Sequence, residues 1–218
     1  MSHSLCAVLG GTFDPIHHGH LRAALEAREA LRASELRLMP CALPPHRPQP
    51  GANAEQRLQM IEAAIRGCPG LRCDDRELRR SGPSYSYDTL VGLRAELGDR
   101  PLALVLGADA FAGLPSWYRW SELSSLAHLV VLTRPDAHAL IDPRLESLLA
   151  SAGTADPDAL LQQSAGRVLR LEIPAMPISS TLIRQRLQQS RSVRYLLPDP
   201  VIELIEQWRL YRNAAVPG

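Results

Sequence analysis

Short apolar runs alternate along this chain with longer segments whose apolar residues return every three or four positions. Residues 5 to 9, 35 to 39, 71 to 74, 102 to 106, 128 to 133 and 168 to 173 have the length of strands, and Leu102 to Leu106 contains no polar residue at all. An uninterrupted apolar strand is one covered on both faces, as in a parallel sheet flanked by helices. Helical spacing is predicted between the strands over 19 to 33, 53 to 66 and 86 to 97. The order is that of repeated strand-helix units, which predicts an α/β, Rossmann-like doubly wound parallel sheet. Ligands of such sheets bind beyond the carboxyl ends of the strands, so the loops after Leu9, Met39, Leu106 and Leu132 are the ones to watch.

Two segments break the alternation. Residues 40 to 52 (PCALPPHRPQPGA) form a proline-stiffened stretch carrying His46 and Arg47, longer than a simple connection and therefore a candidate for binding as well as for a plain surface loop. Residues 134 to 166 hold one helical piece around Arg144 to Ala150, a break at Gly153 and a second piece near Asp158 to Gln163, expected to pack at the sheet edge. After the strand 168 to 173 the hydroxyl residues Ser179, Ser180 and Thr181 precede another helix, and a terminal helix is predicted over roughly 200 to 212 with Val201, Leu204, Ile205 and Trp208 on one face. The whole of 1–218 reads as one domain with a helical C-terminal part.

Charge narrows the function classes. The 24 basic residues nearly balance 23 acidic ones, the net charge is +1, and no run of like charge marks a nucleic-acid or membrane footprint. Any affinity for phosphate is therefore local. The basic side chains are arginines, whose planar fork suits bidentate phosphate recognition. Cys6, Cys41, Cys68 and Cys73 show no metal or disulfide spacing, and no secretory leader precedes them, which together predict reduced thiols in a cytoplasmic protein. No apolar run approaches the roughly 20 residues needed to span a bilayer.

The most informative stretch is GGTFDPIHHGH, Gly10 to His20, lying between the first strand and the first helix. It contains neither a dinucleotide fingerprint nor a P-loop. Gly10 and Gly11 nevertheless permit a tight turn, and Gly19 removes a side chain where a helix N-terminus faces outward. His17 and His20 stand one helical turn apart. Phosphate contact is the favoured role, two imidazoles on one metal ion the rival, and packing the plainest alternative. Ser179, Ser180, Thr181 and Arg184 form either a good helix cap or a second anion grip. Trp117 and Tyr118, with Trp120, are either a core cluster or a wall for an aromatic ring.

GGTFDPIHHGH together with ISSTLIR at 178 to 184 resembles the HxGH nucleotidyltransferase superfamily. PPHRP at 44 to 48, SYSYDTL at 84 to 90, GAD at 107 to 109 and the Trp117–Tyr118 pair resemble, within it, the bacterial nicotinate-nucleotide adenylyltransferases. The resemblance spans nearly the whole chain. It implies transfer of AMP from ATP to nicotinate mononucleotide, giving nicotinate adenine dinucleotide and pyrophosphate in NAD biosynthesis. By matched position it implies that His17 and His20 hold the ATP phosphates, with Gly10, Gly11 and Gly19 around them and backbone contacts from Thr12 and Phe13. Ser180, Thr181 and Arg184 grip the β and γ phosphates beside Ile178 and Ser179, while Gly107 and Asp109 meet ribose. His46, Arg47 and Arg134 reach the mononucleotide phosphate, and Ser86, Trp117 and Tyr118 form the nicotinate pocket. Ser86 departs from the family's usual threonine by one methyl group, which loosens the pocket and keeps the hydroxyl. Mg²⁺ is expected on the ATP phosphates, with no protein metal site.

Chemistry supplies two further expectations. An ionised phosphate needs no protein nucleophile, so direct in-line attack without a covalent intermediate is expected, and imidazoles facing phosphates should have raised pKa values. Pantetheine-phosphate adenylyltransferases, glycerophosphate-type cytidylyltransferases, class I aminoacyl-tRNA synthetases and a non-enzymatic nucleotide sensor are the rival readings. Monomer and homodimer are both left open.

Overall fold

The structure is a computed structural model of the 218-residue chain that describes residues 4–42, 49–133, 142–174 and 176–212. Among these residues one seven-stranded sheet runs in the order β3-β2-β1-β4-β5-β7-β6, every pairing parallel. The strands are β1 (Cys6–Gly11), β2 (Glu35–Pro40), β3 (Leu71–Cys73), β4 (Leu102–Gly107), β5 (His128–Thr133), β6 (Gly153–Thr154) and β7 (Val168–Glu172). Strand order reverses between β1 and β4, which places the switch-point crevice beyond Gly11 and Gly107.

Alternation along each strand sorts the side chains into two cores. Ala7 and Leu9 of β1, Leu36 and Leu38 of β2 and Ala103 and Val105 of β4 meet α1 (His18–Ala30), α2 (Ala54–Ile65), α7 (Ser180–Gln188) and α8 (Asp199–Gln207). Cys6, Val8, Leu102, Leu104 and Leu106 meet the other face's helices, α3 (Ser86–Leu97), α4 (Ala108–Ala112), α5 (Leu123–Leu126) and α6 (Pro143–Ala152). A residue buried on either face leaves no room for polar alternation, hence the unbroken apolar runs.

The predicted elements are present with shifted ends, and the shifts have local causes. The first helix ends at Ala30 because Arg32 takes a left-handed conformation at φ 48°. The last helix ends at Gln207 and not near 212: Arg209 and Tyr211 are left-handed at φ 53° and 58°, turning the chain back toward the N-terminal motif. Gly153, expected only as a break, begins the short edge strand β6 on β7. The small helices α4 and α5 were not anticipated, being too short to show a helical period.

Candidate active site

Two helix N-termini meet at the carboxyl end of β1. His17 is the N-cap of α1, and its Nδ1 accepts from the His20 backbone N–H at 3.3 Å. Ser179 is the N-cap of α7, and its side chain accepts from the Leu182 N–H at 3.1 Å. The first turns of α2, α3, α6 and α8 carry Glu55, Asp88, Glu146 and Asp199, but those of α1 and α7 carry no acidic residue. Both positive helix ends are thus left uncompensated by the chain itself, which suits an anion.

Gly19 joins the two ends. A Cβ there would lie 3.0 Å from the His17 Nδ1 and 3.4 Å from the Ile178 carbonyl, so close packing of the His17 ring is itself a reason for glycine at this position. Gly11 is confined by the Phe13 ring in the same way, at 2.9 Å. Phe13 is buried and left-handed at φ 50°, a conformation costly for a residue with a side chain and often found at functional turns. Gly10 and Gly107, by contrast, lie at the ends of neighbouring strands where an added Cβ would meet none of the described residues within 4 Å, its own chain neighbours aside.

The two imidazoles are stacked, with centroids 3.7 Å apart and planes inclined by 18°, and the Phe13 ring meets His20 edge-on at 5.0 Å. In-plane lone pairs of parallel stacked rings do not converge on a common point, and His17 Nδ1 is already an acceptor, so the geometry argues against shared metal ligation. Burial, helped by the neighbouring His18, pushes the His17 ring down to about 4. Without a ligand the protein favours the neutral ring, and a phosphate brought beside it, the condition under which a raised value is expected, would oppose the cost of burial.

Arg184 and Ser180 come to this centre from the far end of the chain. Arg184 Nη1 donates to the Asp14 backbone carbonyl at 2.7 Å, and Ser180 Oγ donates to the Pro15 carbonyl at 3.0 Å. Arg184 Nη2 also approaches Thr181 Oγ1 at 3.4 Å. Gly107 caps α4 and Asp109, exposed, lies in its first turn. Ser86 begins α3 directly after Tyr85, whose ring lies 4.7 Å from that of the exposed Tyr118, while Tyr87 meets Tyr118 edge-on at 6.0 Å. Trp117 and Trp120 are half-buried against the second core, so Tyr118 alone of the three presents an open face. His46, Arg47 and Arg134 lie outside the described residues.

Three residues that sequence reasoning missed tie this centre together. Asp14 is buried with its carboxylate accepting from the Tyr211 hydroxyl at 2.7 Å, and Arg57 is 1% exposed on α2. The signal for Arg57 was present: with Met60 and Ile61 it occupies the buried stripe of its helix, where a charged residue needs a fixed partner. Asp14 and Tyr211 gave no such signal, because they meet across 197 positions.

A seven-stranded parallel sheet with an open switch point, and two helix N-termini with stacked histidines beside it, define a nucleotide-binding transferase. The cytidylyltransferase-like family model matches residues 8–186. The probable nicotinate-nucleotide adenylyltransferase of Methylococcus capsulatus is 49% identical over 208 residues, covering 95% of this chain and 99% of that one. The corresponding protein of Pseudomonas entomophila is 50% identical over 206 residues, 94% of each chain. A nicotinic acid mononucleotide adenylyltransferase of Plasmodium falciparum, solved in complex with NaAD, superposes with a TM-score of 0.73 at 18% identity over 96% of this chain and 98% of its own, a likeness of fold. The chain belongs to the cytidylyltransferase-like nucleotidyltransferases and, within them, to the nicotinate-nucleotide adenylyltransferases.

Proposed function

We propose that this enzyme transfers AMP from ATP to the 5′-phosphate of nicotinate mononucleotide by direct in-line displacement, releasing pyrophosphate. The observation that carries the reading is the junction of the α1 and α7 N-termini through Gly19 and Ile178, with His17, His20 and Arg184 around it. Triphosphate laid along this junction meets backbone N–H groups of Thr12 and Phe13, the two imidazoles, the hydroxyls of Ser180 and Thr181, and the Arg184 guanidinium. Gly10 and Gly107, open to the crevice, let the nucleoside lie across the sheet ends, and Asp109 stands where a ribose hydroxyl finds an acceptor.

The acceptor is already an anion, so no protein group has to become a nucleophile. What the protein supplies is alignment and charge: positioning two oriented reactants is worth ~7 to 11 kcal/mol of barrier, and donors fixed where pyrophosphate charge develops add to it. His20 is the donor nearest the change in this reading. On the acceptor side, the α3 N-terminus at Ser86 and the Tyr85–Tyr118 pair provide backbone donors for a ring carboxylate and a face for the ring. His46, Arg47 and Arg134 complete the acceptor phosphate contacts.

Mg²⁺ fits here as an ion carried by the nucleotide. The Asp14 carboxylate is engaged within the protein, accepting from Gly51, Ala52 and Tyr211 and pairing with Arg184 at 3.6 Å, and the described residues contain no group of three or more His, Cys, Asp or Glu able to hold a metal. Bound to the phosphates, the ion supplies charge neutralisation. No helix of the described chain is long and apolar enough to cross a membrane, and a cytoplasmic enzyme acting on small molecules is the setting we propose.

Pyrophosphate release from ATP with each mononucleotide in turn tests the reading. Nicotinate mononucleotide is expected to be used in preference to the nicotinamide form, and faster turnover with the amide, the pantetheine phosphate or a glycerophosphate overturns the assignment.

A further inference from the structure

The chain enters α3 from an exposed loop, Ser81 to Pro83, in which Gly82 is left-handed at φ 91°. Tyr85, the N-cap, makes no side-chain cap bond, and the first main-chain bond of the helix runs from the Thr89 N–H to the Tyr85 carbonyl at 3.2 Å. The N–H groups of Ser86, Tyr87 and Asp88 therefore open α3 without a partner inside the helix. What holds this turn comes from behind it. Thr89 Oγ1 donates to Glu77 Oε1 at 2.7 Å, while Arg80 Nη2 donates to the same hydroxyl at 3.2 Å and reaches the Tyr85 carbonyl at 3.5 Å. Ahead of the helix, Ser84 Oγ accepts from the Ala42 N–H at 2.9 Å, which ties the approach to α3 to the chain just beyond β2.

Glu77 and Thr89 are both buried, at 8% and 4% exposure. Burial pushes the Glu77 carboxyl up, while the Thr89 and Ser84 hydroxyls and the charge of Arg80 hold it back. A buried carboxylate that loses its donor is left with an unmade hydrogen bond, so this contact holds the turn more firmly than a solvent-exposed pair would. We infer that Glu77, acting through Thr89, is a positioning residue for acceptor specificity: it sets the attitude of the α3 N-terminus, and so of the N–H groups at Ser86 and Tyr87, toward a carboxylate on the acceptor's ring. The inference rests on the proposed reading of that N-terminus as part of the nicotinate pocket. Neither side chain offers a group to substrate, because both are buried and bonded to each other. A ring carboxylate presents two acceptor oxygens to such donors, whereas an amide presents one, with N–H groups of its own in the other place. Misplaced donors therefore cost the acid more than the amide.

The test compares Thr89→Val, which keeps the β-branched shape and removes the hydroxyl, with Glu77→Met and with Glu77→Gln, which retains an oxygen for Thr89. For each protein kcat and KM per folded molecule are measured with nicotinate and with nicotinamide mononucleotide, alongside KM for ATP and Tm. In Thr89→Val and Glu77→Met, KM for nicotinate mononucleotide is expected to rise roughly 10-fold or more, as for a weakened hydrogen bond to a charged group, and the acid-over-amide preference to narrow by a similar factor. Glu77→Gln is expected to recover most of both, and KM for ATP to stay near wild type in all three. A lower Tm reduces the folded fraction but does not enter a ratio of two substrates measured on one protein. Unchanged preference in Thr89→Val overturns the inference, whether or not Glu77→Met folds. A preference lost as fully in Glu77→Gln as in Thr89→Val overturns it as well, since the contact to Thr89 would then not be what acts. So does a KM for ATP that rises as far as that for the acceptor, because the effect would then lie on the site as a whole. Failure of the substrate reading is separately visible: the wild-type enzyme then shows no preference for the acid, before any variant is made, and the inference falls with it.

Discussion

Arg184 donates to the backbone carbonyl of Asp14 at 2.7 Å, joining the helix that follows the last strand to the turn that follows the first. The same Nη1 lies 3.6 Å from Asp14 Oδ2 and Nη2 approaches Thr181 Oγ1 at 3.4 Å, so both arms of the guanidinium are fixed. Arg184→Lys keeps the charge and loses the fork, so kcat/KM for ATP is expected to drop roughly 10- to 100-fold, the equivalent of one charge-assisted hydrogen bond. Steady-state kinetics with ATP varied measures it, and a change within twofold would leave Arg184 with a structural part only.

His20 stacks on His17 and is braced by Phe13, which makes it a pre-aimed donor for charge that grows in the transition state. His20→Ala is expected to lower kcat by roughly 10²- to 10³-fold while disturbing ATP affinity far less. Equal turnover in the variant removes His20 from the chemistry.

Burial pushes His17 down to about 4, and buried His128, its Nε2 against the Gln163 carbonyl, shifts in the same direction. In the unfolded chain a histidine binds its proton near pH 6.5, so below that value unfolding takes up protons and stability falls with pH. The His17 contribution, on the order of 3 kcal/mol, is present in full above about pH 6.5 and lost as pH falls to about 4. Tm of the ligand-free protein is expected to decline across that window. ATP beside His17 favours the charged ring, so binding at about pH 6 is expected to consume protons, which calorimetry in two buffers of different ionisation enthalpy detects. Buffer-independent heats would separate the His17 ring from the phosphates.

Gly19→Ala sets stability and activity against each other. Alanine favours a helix by about 1 kcal/mol over glycine, but here its methyl would fall 3.0 Å from His17 Nδ1. Tm is expected to change little while kcat falls at least tenfold, because the imidazole has to leave its stack. A variant as active as wild type would show that the ring's placement is not needed.

Much of the fold was legible because apolar periodicity records burial directly: the unbroken runs of β1, β4 and β5 are two-sided, and α3 begins and ends where its pattern does, at Ser86 and Leu97. The histidine pair at the α1 N-terminus and the Ser179 cap were legible for a similar reason, since strand-turn-helix junctions and N-caps are local chemistry. Arg57 was half-legible, as a charge on an apolar stripe. The early end of α8 was not, because its left-handed residues serve a distant partner.

By itself the amino-acid order determined an α/β sheet with a glycine-bearing turn and a helix N-terminus after its first strand, since hydrophobic spacing and capping act within a few residues. Only the tertiary structure decided that His17 is buried and stacked, that Arg184 reaches the Asp14 carbonyl, that Asp14 holds the Gly51 and Ala52 N–H groups, and that Arg57 bonds the Thr12 and Cys41 carbonyls. Burial and charge pairing depend on groups brought together from opposite ends of the chain, and no local pattern encodes that distance.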